Sequence, residues 1–478
     1  MTQPAPPSEP DSASGKTAPV KEKSLYEAHK KVYARSVTGR FATWRWILVW
    51  VTQIVFYGLC WLDWTGGRQA VLFDVVERKF YIFGLVFWPQ DVFYLTILLI
   101  ISALSLFLFT AIAGRLFCGY ACPQTVYTEI FMWVEKLIEG DRPARMKLDA
   151  VPMSGGKFAR KAAKHVIWVA IALWTGFTFV GYFTPIKTLI GSAMNWQLGP
   201  WETFWMFFYA FAIWGNAGFM REQVCKYMCP YARFQGVMFD PDTLIVTYDN
   251  ERGEPRGPRS KKIDYKLAGK GDCVDCGICV QVCPTGIDIR KGLQYECIGC
   301  SACIDACDQV MDKMAYPRGL IRYSTEHALA EHWGTKQIIT HIRRPRTLVY
   351  GTILCIIIIA AATGLTLRQP LKVDVIRDRA TLAREVEDGL IENVFRLQVM
   401  NLAEAPRRFT LSVNGLDGIR IASETVIDMP PATTRAISVR VRVPDSAGKR
   451  GSHPIQFEIH AVDHDSVFVR EKASFFLP

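Results

Sequence analysis

Eight cysteines carry the clearest chemistry in this sequence. They run Cys273-x2-Cys276-x2-Cys279-x3-Cys283-Pro284 and then Cys297-x2-Cys300-x2-Cys303-x3-Cys307. Thiolates are soft ligands, and two-residue spacers let three of them wrap one corner of an iron–sulfur cubane. The fourth ligand of each run reaches across to the other cluster. The pattern therefore predicts two [4Fe–4S] clusters. Cys273, Cys276, Cys279 and Cys307 hold one, and Cys297, Cys300, Cys303 and Cys283 hold the other. Thiolates also bind zinc tetrahedrally, but zinc has no need of eight in this interlocked pattern. Proline follows Cys283, whereas Asp308 stands after Cys307, which changes the local turn and charge more than the ligation.

A second set of cysteines is duplicated. Arg115-Leu-Phe-Cys118-Gly-Tyr120-Ala-Cys122-Pro123 and Arg221-Glu-Gln-Val-Cys225-Lys-Tyr227-Met-Cys229-Pro230 share the unit Cys-x-Tyr-x-Cys-Pro. Proline at the first helical position puts Cys122 and Cys229 at helix N-termini. The helix dipole there, with Arg115, Lys226 and Arg233 nearby, is expected to favour thiolates. A pseudo-twofold relating the two units gathers Cys118, Cys122, Cys225 and Cys229 into one site. Four such thiols can bind a soft metal such as Cu(I), hold a further cluster or undergo dithiol chemistry. The bland alternative is a pair of small residues in tight turns. Met132, Met220, Met228 and Met238 are nearby soft donors, although methionine at helix ends more often packs.

The elements that position these residues read as a multi-domain membrane protein. Half of the 478 residues are apolar, and the apolar residues clump into runs. Five runs approach the length of a bilayer-spanning helix: Trp46–Leu62, Val92–Ala113, Val166–Ile190, Trp201–Met220 and Leu348–Thr366. The loop between the second and third holds Arg115, Lys136, Arg142, Arg145, Lys147, Lys157, Arg160, Lys161 and Lys164, and the turn between the third and fourth only Lys187, close to the end of the third run. The positive-inside rule then sets the N-terminus, residues 114–165 and residues 221–347 in the cytoplasm of a multi-pass inner-membrane protein. The C-terminus falls in the periplasm. Of fourteen cysteines, twelve lie in the cytoplasmic loops, Cys60 and Cys355 lie in spans, and the last hundred residues have none. That distribution suits metal ligation in a reducing compartment. The formal charge of +11 comes from residues flanking apolar spans, so the partner it implies is anionic lipid and no nucleic acid.

The expected domains are a partly disordered cytoplasmic tail (1–45), four transmembrane helices carrying both Cys-x3-Cys-Pro motifs (46–240), a cytoplasmic two-[4Fe–4S] ferredoxin-like domain (241–345), a fifth transmembrane helix (346–367) and a periplasmic all-β domain (370–478). The tail proper is the Pro-, Ala-, Ser- and Lys-rich stretch to about residue 24. Period-two alternation in Ile391–Leu402, Arg408–Asn414, Arg435–Val443, Pro454–Val462 and Val467–Phe476 predicts an immunoglobulin-like sandwich. Alternation in Val75–Phe87, within the outer loop Asp63–Gln90, reads as a short hairpin or interfacial segment. Of eight histidines only His165 sits at a helix mouth, so no membrane haem is expected. No dinucleotide fingerprint occurs, so electrons are expected from a cytoplasmic donor protein.

This combination resembles the cytochrome c oxidase accessory family CcoG, also called FixG or RdxA. The segments Arg68-Gln-Ala-Val-Leu-Phe-Asp74, Phe87-Trp-Pro-Gln-Asp91 and Cys118-Gly-Tyr-Ala-Cys-Pro-Gln124 are similar too. The Cys-x3-Cys-Pro motifs alone also resemble membrane polyferredoxins that support periplasmic nitrate and nitrous oxide reductases. The first resemblance implies reduction of Cu(II) to Cu(I) at Cys118, Cys122, Cys225 and Cys229, with copper as substrate. It implies partners among copper-transport proteins and the assembly factors of cbb3-type cytochrome c oxidase. Electron passage between quinol and a partner reductase, or a redox-sensing assembly scaffold, are the alternatives. A homodimer is left open.

Overall fold

The segment that carries the eight cysteines is tied at both ends. In a computed structural model, which describes residues 31–261, 269–378, 383–386, 389–463 and 466–478, strand Ile245–Tyr248 precedes it and pairs antiparallel with Ile321–Ser324 after it. Helices Ile278–Gln281 and Ala302–Met314 lie between these strands. The tail to residue 24 lies outside the described residues.

Among the described residues three helices are long and apolar enough to cross a membrane: Pro89–Ala113, Gly155–Val180 and Pro345–Thr366, of 25, 26 and 22 residues. The first and fourth expected spans are also helical, at Arg40–Gly58 and Pro200–Gly215, but do not reach that length and apolarity. Arg40 and the buried Arg45 lie on the first, and the second continues into a π-helical turn at Asn216–Met220. The third expected span is displaced. Its helix starts at Gly155, where Ser154 Oγ accepts from the Lys157 N–H, and ends at Gly181. Pro185 has no N–H to continue it, and Ile186–Met194 is a separate helix. Gly176 lets this helix approach the Met206 carbonyl of Pro200–Gly215, where any Cβ would clash with backbone.

The first helix begins at Arg40, inside the stretch read as tail. Its cap comes from a distant element: the Asp305 carboxylate, on Ala302–Met314, accepts from the N–H groups of Phe41 (3.2 Å) and Ala42 (2.7 Å). A carboxylate at a helix N-terminus satisfies otherwise unpaired donors and the dipole. No local cap marks that start, which is why pattern alone begins the helix later. Several cations of the 114–165 loop are likewise not at the surface. Glu135, 2% exposed, pairs with Arg145 (2.8 Å), Arg221 (2.7 Å) and Lys164 (3.6 Å), while Glu139 takes Lys161 and Lys164.

The described residues between 371 and 477 form two antiparallel sheets. One orders Arg420–Ile421, Thr434–Pro444, Leu390–Asn401 and Leu371–Arg377, with Arg384–Val386 also on Leu390–Asn401; the other orders Val426–Met429, Arg407–Asn414, Gly451–Ala461 and Phe468–Leu477. Alternate residues such as Phe395, Leu397, Val439, Val441, Phe457 and Ile459 are fully buried between them. The five strands expected from alternation are present, and the short ones at 371, 384, 420 and 426 are additional. Val75–Phe87 holds the expected hairpin, Lys79–Ile82 against Leu85–Phe87, and Val71–Asp74 just before it adds a third strand to make a meander. It abuts the sandwich, with Val86 and Trp88 against Met400, Leu402 and Ala432. The buried Asp91 beside it binds Arg368 and Lys372.

Candidate functional site

The two runs of the eight-cysteine set have the same backbone. Around the second cysteine of the first run, Asp275 and Gly277 have φ of 52° and 63°; around that of the second, Gly299 and Ser301 have 69° and 60°. Left-handed residues on both sides of a cysteine turn the chain tightly about one point. A helix then starts at Ile278 or Ala302, and the third cysteine, Cys279 or Cys303, is its second residue.

The runs enclose two cavities. Cys273, Cys276, Cys279 and Cys307 line one, floored by Met311 and Leu320. Cys283, Cys297, Cys300 and Cys303 line the other, with Cys279 at its edge. Burial pushes Cys279 up to about 11 and Cys297 and Cys307 up to about 12, and neighbouring thiolates add to the rise. Buried thiols crowded around apolar space hold their protons until a metal ion displaces them. Eight such donors around two cavities fit a pair of [4Fe–4S] clusters.

The duplicated motifs share their flanking backbone but differ in the turn between. Leu116–Tyr120 is an α-helical turn and Val224–Met228 a π-helical one. Cys122 and Cys229 are the extended N-caps of Pro123–Glu139 and Pro230–Met238. Four residues before the first cysteine of each, Gly114 and Arg221 have φ of 54° and 37°. The structural partner of Gly114 is therefore Arg221, a position at which arginine is strained and is held by its ion pair to Glu135.

Among the described residues these four thiols lie within electrostatic reach of one another, and no three of their sulfurs come within 4.8 Å. Cys122 and Cys229 oppose ionisation of Cys118, and Cys118, Cys122 and Cys229 oppose that of Cys225. Gln124, just after the first motif, donates to the carbonyls of Asn216 (3.0 Å) and Arg221 (3.2 Å) before the second. The thiolate-favouring expectation for Cys122 is overturned. Burial raises it, and the N–H groups of Gln124 and Thr125 only partly oppose that. Burial likewise raises Cys118 against Arg115 and pushes Cys225 to about 12. The Cys118 thiol donates to Gln235 Oε1 at 3.2 Å. Met228 is exposed, and Met132 lines a separate recess beside Arg45 and Glu129.

The two cysteine sets touch. A Cβ on Gly119 would lie 2.8 Å from the backbone N and Cα of Cys300. Cys118 and Cys225 pack against the buried group that contains Ile298 and Cys300. Arg115, 4% exposed, donates to the Tyr295 carbonyl and acts electrostatically on Cys118, Cys122, Cys225 and Cys297. Buried Tyr120 meets Ser301 and Tyr323, and Tyr323 donates to the Gly299 carbonyl at 2.8 Å. The joining roles of Gly119 and Tyr120 were missed in the sequence, although both lie inside the repeated motif. Gln235 and Glu135 carried no signal.

Family models fall on these parts. A "4Fe-4S dicluster domain" matches residues 220–326, a "4Fe-4S binding domain" residues 95–140, and an "IG-like fold at C-terminal of FixG" residues 361–478. Nitrogen fixation protein FixG of Rhizobium meliloti (strain 1021) is 39% identical over 438 residues, covering 84% of this chain and 83% of the relative. Protein RdxA of Cereibacter sphaeroides is 37% identical over 456 residues, covering 89% and 96%. The chain belongs to the FixG/RdxA family. Protein RdxB of Cereibacter sphaeroides is similar as well, 38% identical over 422 residues, covering 86% of this chain and 88% of the relative. As a FixG/RdxA protein the chain is an iron–sulfur protein of 4Fe–4S type, with apolar helices and an Ig-like C-terminal domain. The 4Fe–4S models cover both cysteine sets, since 95–140 includes Cys118 and Cys122 and 220–326 includes Cys225 and Cys229.

Proposed function

We propose that this chain is an inner-membrane electron-transfer protein that reduces Cu(II) to Cu(I) for copper delivery in cbb3-type oxidase assembly. The observation that carries it is the contact of Gly119 with the Cys300 backbone, which joins a soft-metal thiol set to the eight-cysteine set. Bound clusters supply one electron at a time, the number that Cu(II) reduction needs. Cys273, Cys276, Cys279 and Cys307 hold one cluster and Cys283, Cys297, Cys300 and Cys303 the other. Cys118, Cys122, Cys225 and Cys229 bind the substrate ion, and thiolates stabilise the cuprous product over the cupric ion. Arg115 offsets the negative charge that these thiols acquire when copper displaces their protons. The proposed topology has five spans, a cytoplasmic N-terminus and ferredoxin-like domain, and a periplasmic sandwich. The proposed partners are a cytoplasmic electron donor, copper-transport proteins and oxidase assembly factors.

The test replaces Cys118, Cys122, Cys225 and Cys229 with serine in full-length protein. Copper reduction is expected to collapse while the iron and sulfide belonging to the eight-cysteine set remain. Undiminished reduction overturns the assigned site. Iron loss beyond the unchanged eight-cysteine content assigns these thiols to a further cluster instead.

A second reading, exchange of electrons with membrane quinol, is favoured by one feature. An apolar recess is lined by Phe41, Trp44, Phe109 and Phe117 together with Tyr120 and Tyr323. Reduction of the clusters by added quinol, lost in Tyr120→Phe, supports that reading.

A further inference from the structure

Three side chains outside both cysteine sets converge on one point. Asp242 lies ahead of the Ile245–Tyr248 strand, His327 in the helix Glu326–Ala330, and His341 at the end of Thr335–His341. Asp242 Oδ1 is 2.6 Å from His327 Nδ1 and 3.2 Å from His341 Nε2. All three donor atoms lie within 4.8 Å of one another. Trp333 packs beside both rings, with centroids 6.4 Å from His327 and 4.7 Å from His341. The other carboxylate oxygen of Asp242 faces Arg344 Nη1 at 3.2 Å, and Arg344 is shared with Asp240. Asp242 is thus oriented from behind, as outer partners orient a ligating carboxylate. Both rings remain about half exposed, at 48% and 45%, which leaves space for water on the open side.

We propose that Asp242, His327 and His341 form a binding site for a divalent first-row transition-metal ion. Ligand bonds of about 2.0–2.2 Å to one ion separate neighbouring donor atoms by roughly 3–3.6 Å, a range that holds the 3.2 Å Asp242–His341 spacing, while His327 exchanges its 2.6 Å contact with Asp242 for the ion by a shift of under about 1 Å. Two imidazoles and a carboxylate suit Zn(II), Ni(II) and Cu(II), with Cu(II) bound most tightly in the usual affinity order. They do not suit Cu(I), whose preferred donors are the sulfurs of the other set. The three donors come from three separate elements, so the set exists only in the folded chain. Asp240 and Asp242 are balanced by Arg344 and Arg346, so the bound ion is held by the geometry of the donors more than by net charge. The competing occupant is a proton, which makes the same three groups a plain histidinium–aspartate ion pair. The site does not rest on the copper-reduction reading, because its readout is a bound ion and not a rate.

The experiment uses full-length holoprotein with Cys118, Cys122, Cys225 and Cys229 replaced by serine, so that these thiols do not reduce the probe. With its clusters oxidised and EPR-silent, the protein is titrated with Cu(II) alone. The expected result is one tight equivalent whose EPR signal shows coupling to two imidazole nitrogens. His327→Gln/His341→Gln is expected to weaken that binding on the order of 100-fold, with iron content unchanged, while His332→Gln binds normally. If the double variant loses iron, Asp242→Asn reads the same loss of affinity with a smaller change in shape. Equal affinity and nitrogen coupling in the double variant and in Asp242→Asn overturn the site and leave only adventitious binding to surface histidines.

Discussion

Cys273 to Cys283 and Cys297 to Cys307 are each a single short stretch of chain, and each stretch makes the same left-handed turn about its second cysteine. Cys118 and Cys122 come within electrostatic reach of Cys225 and Cys229 because distant turns are drawn together by helices and by buried ions such as Glu135 and Arg221. The thiols of the first set open into two cavities. Those of the second are backed by protein, with Cys118 bonded to Gln235 and Cys225 packed near Ile298 and Cys300. A ligand set written in local spacing keeps its geometry when its surroundings change. One assembled across the fold depends on residues that ligate nothing, and that contrast can be broken or sharpened by substitution.

The largest effect is expected inside the local set. Cys300 lines only the second cavity, so Cys300→Ser should remove roughly half of the bound iron and sulfide while the first cavity stays loaded. Iron and sulfide analysis of the purified variant measures this. Loss of all iron shows that the two cavities fill as one unit, and loss of none removes Cys300 from the ligand set.

The same contrast explains what could be read from the sequence. Spacing of eight cysteines is local information, so the grouping around both cavities was legible, as was the alternation that puts Phe395, Val441 and Phe457 inside the sandwich. The start of the first helix at Arg40 was not, because its cap is Asp305, far along the chain. The basic loop was read for topology, yet Arg145 and Lys164 are buried partners of acids. A charge count cannot tell a solvated lysine from a paired one. The helix-terminal position of Cys122 was legible, but the burial that outweighs its dipole belongs to the packed protein.

Glu135→Gln attacks the assembled set without touching a cysteine. Arg145, Arg221 and Lys164 converge on this carboxylate, and removing one partner of a buried pair costs about 3–5 kcal/mol. The strained Arg221 turn should loosen, so Cys225 and Cys229 become open to alkylation while iron in the eight-cysteine set is retained. Acid should do part of the same work. Burial raises Glu135, but Arg221, Lys164 and Arg145 outweigh it and hold the carboxyl below its usual value. Its contribution is therefore full above the unfolded value of about 4.3 and is lost as pH falls through the folded one. Thermal unfolding of wild type and Glu135→Gln between neutral and acid pH should converge as pH drops. A constant gap places the acid sensitivity elsewhere.

Gly119→Ala tests the joint between the two sets, with a smaller cost. The added Cβ meets the N and Cα of Cys300 at 2.8 Å and the Ile298 carbonyl at the same distance. Those are backbone atoms, so relief requires one motif to back away from the other, and overpacking of this kind costs about 1–3 kcal/mol. The turn that carries Cys300 is fixed by its own run of cysteines, whereas Leu116–Tyr120 is a single helical turn, so the movement should fall on Cys118 and Cys122. Iron content should then match wild type while Cu(II) reduction slows. Wild-type reduction together with a lowered unfolding temperature would leave the contact a packing feature with no part in electron delivery. Loss of iron would place the movement on the Cys300 side, and the local set would then be the more pliable of the two.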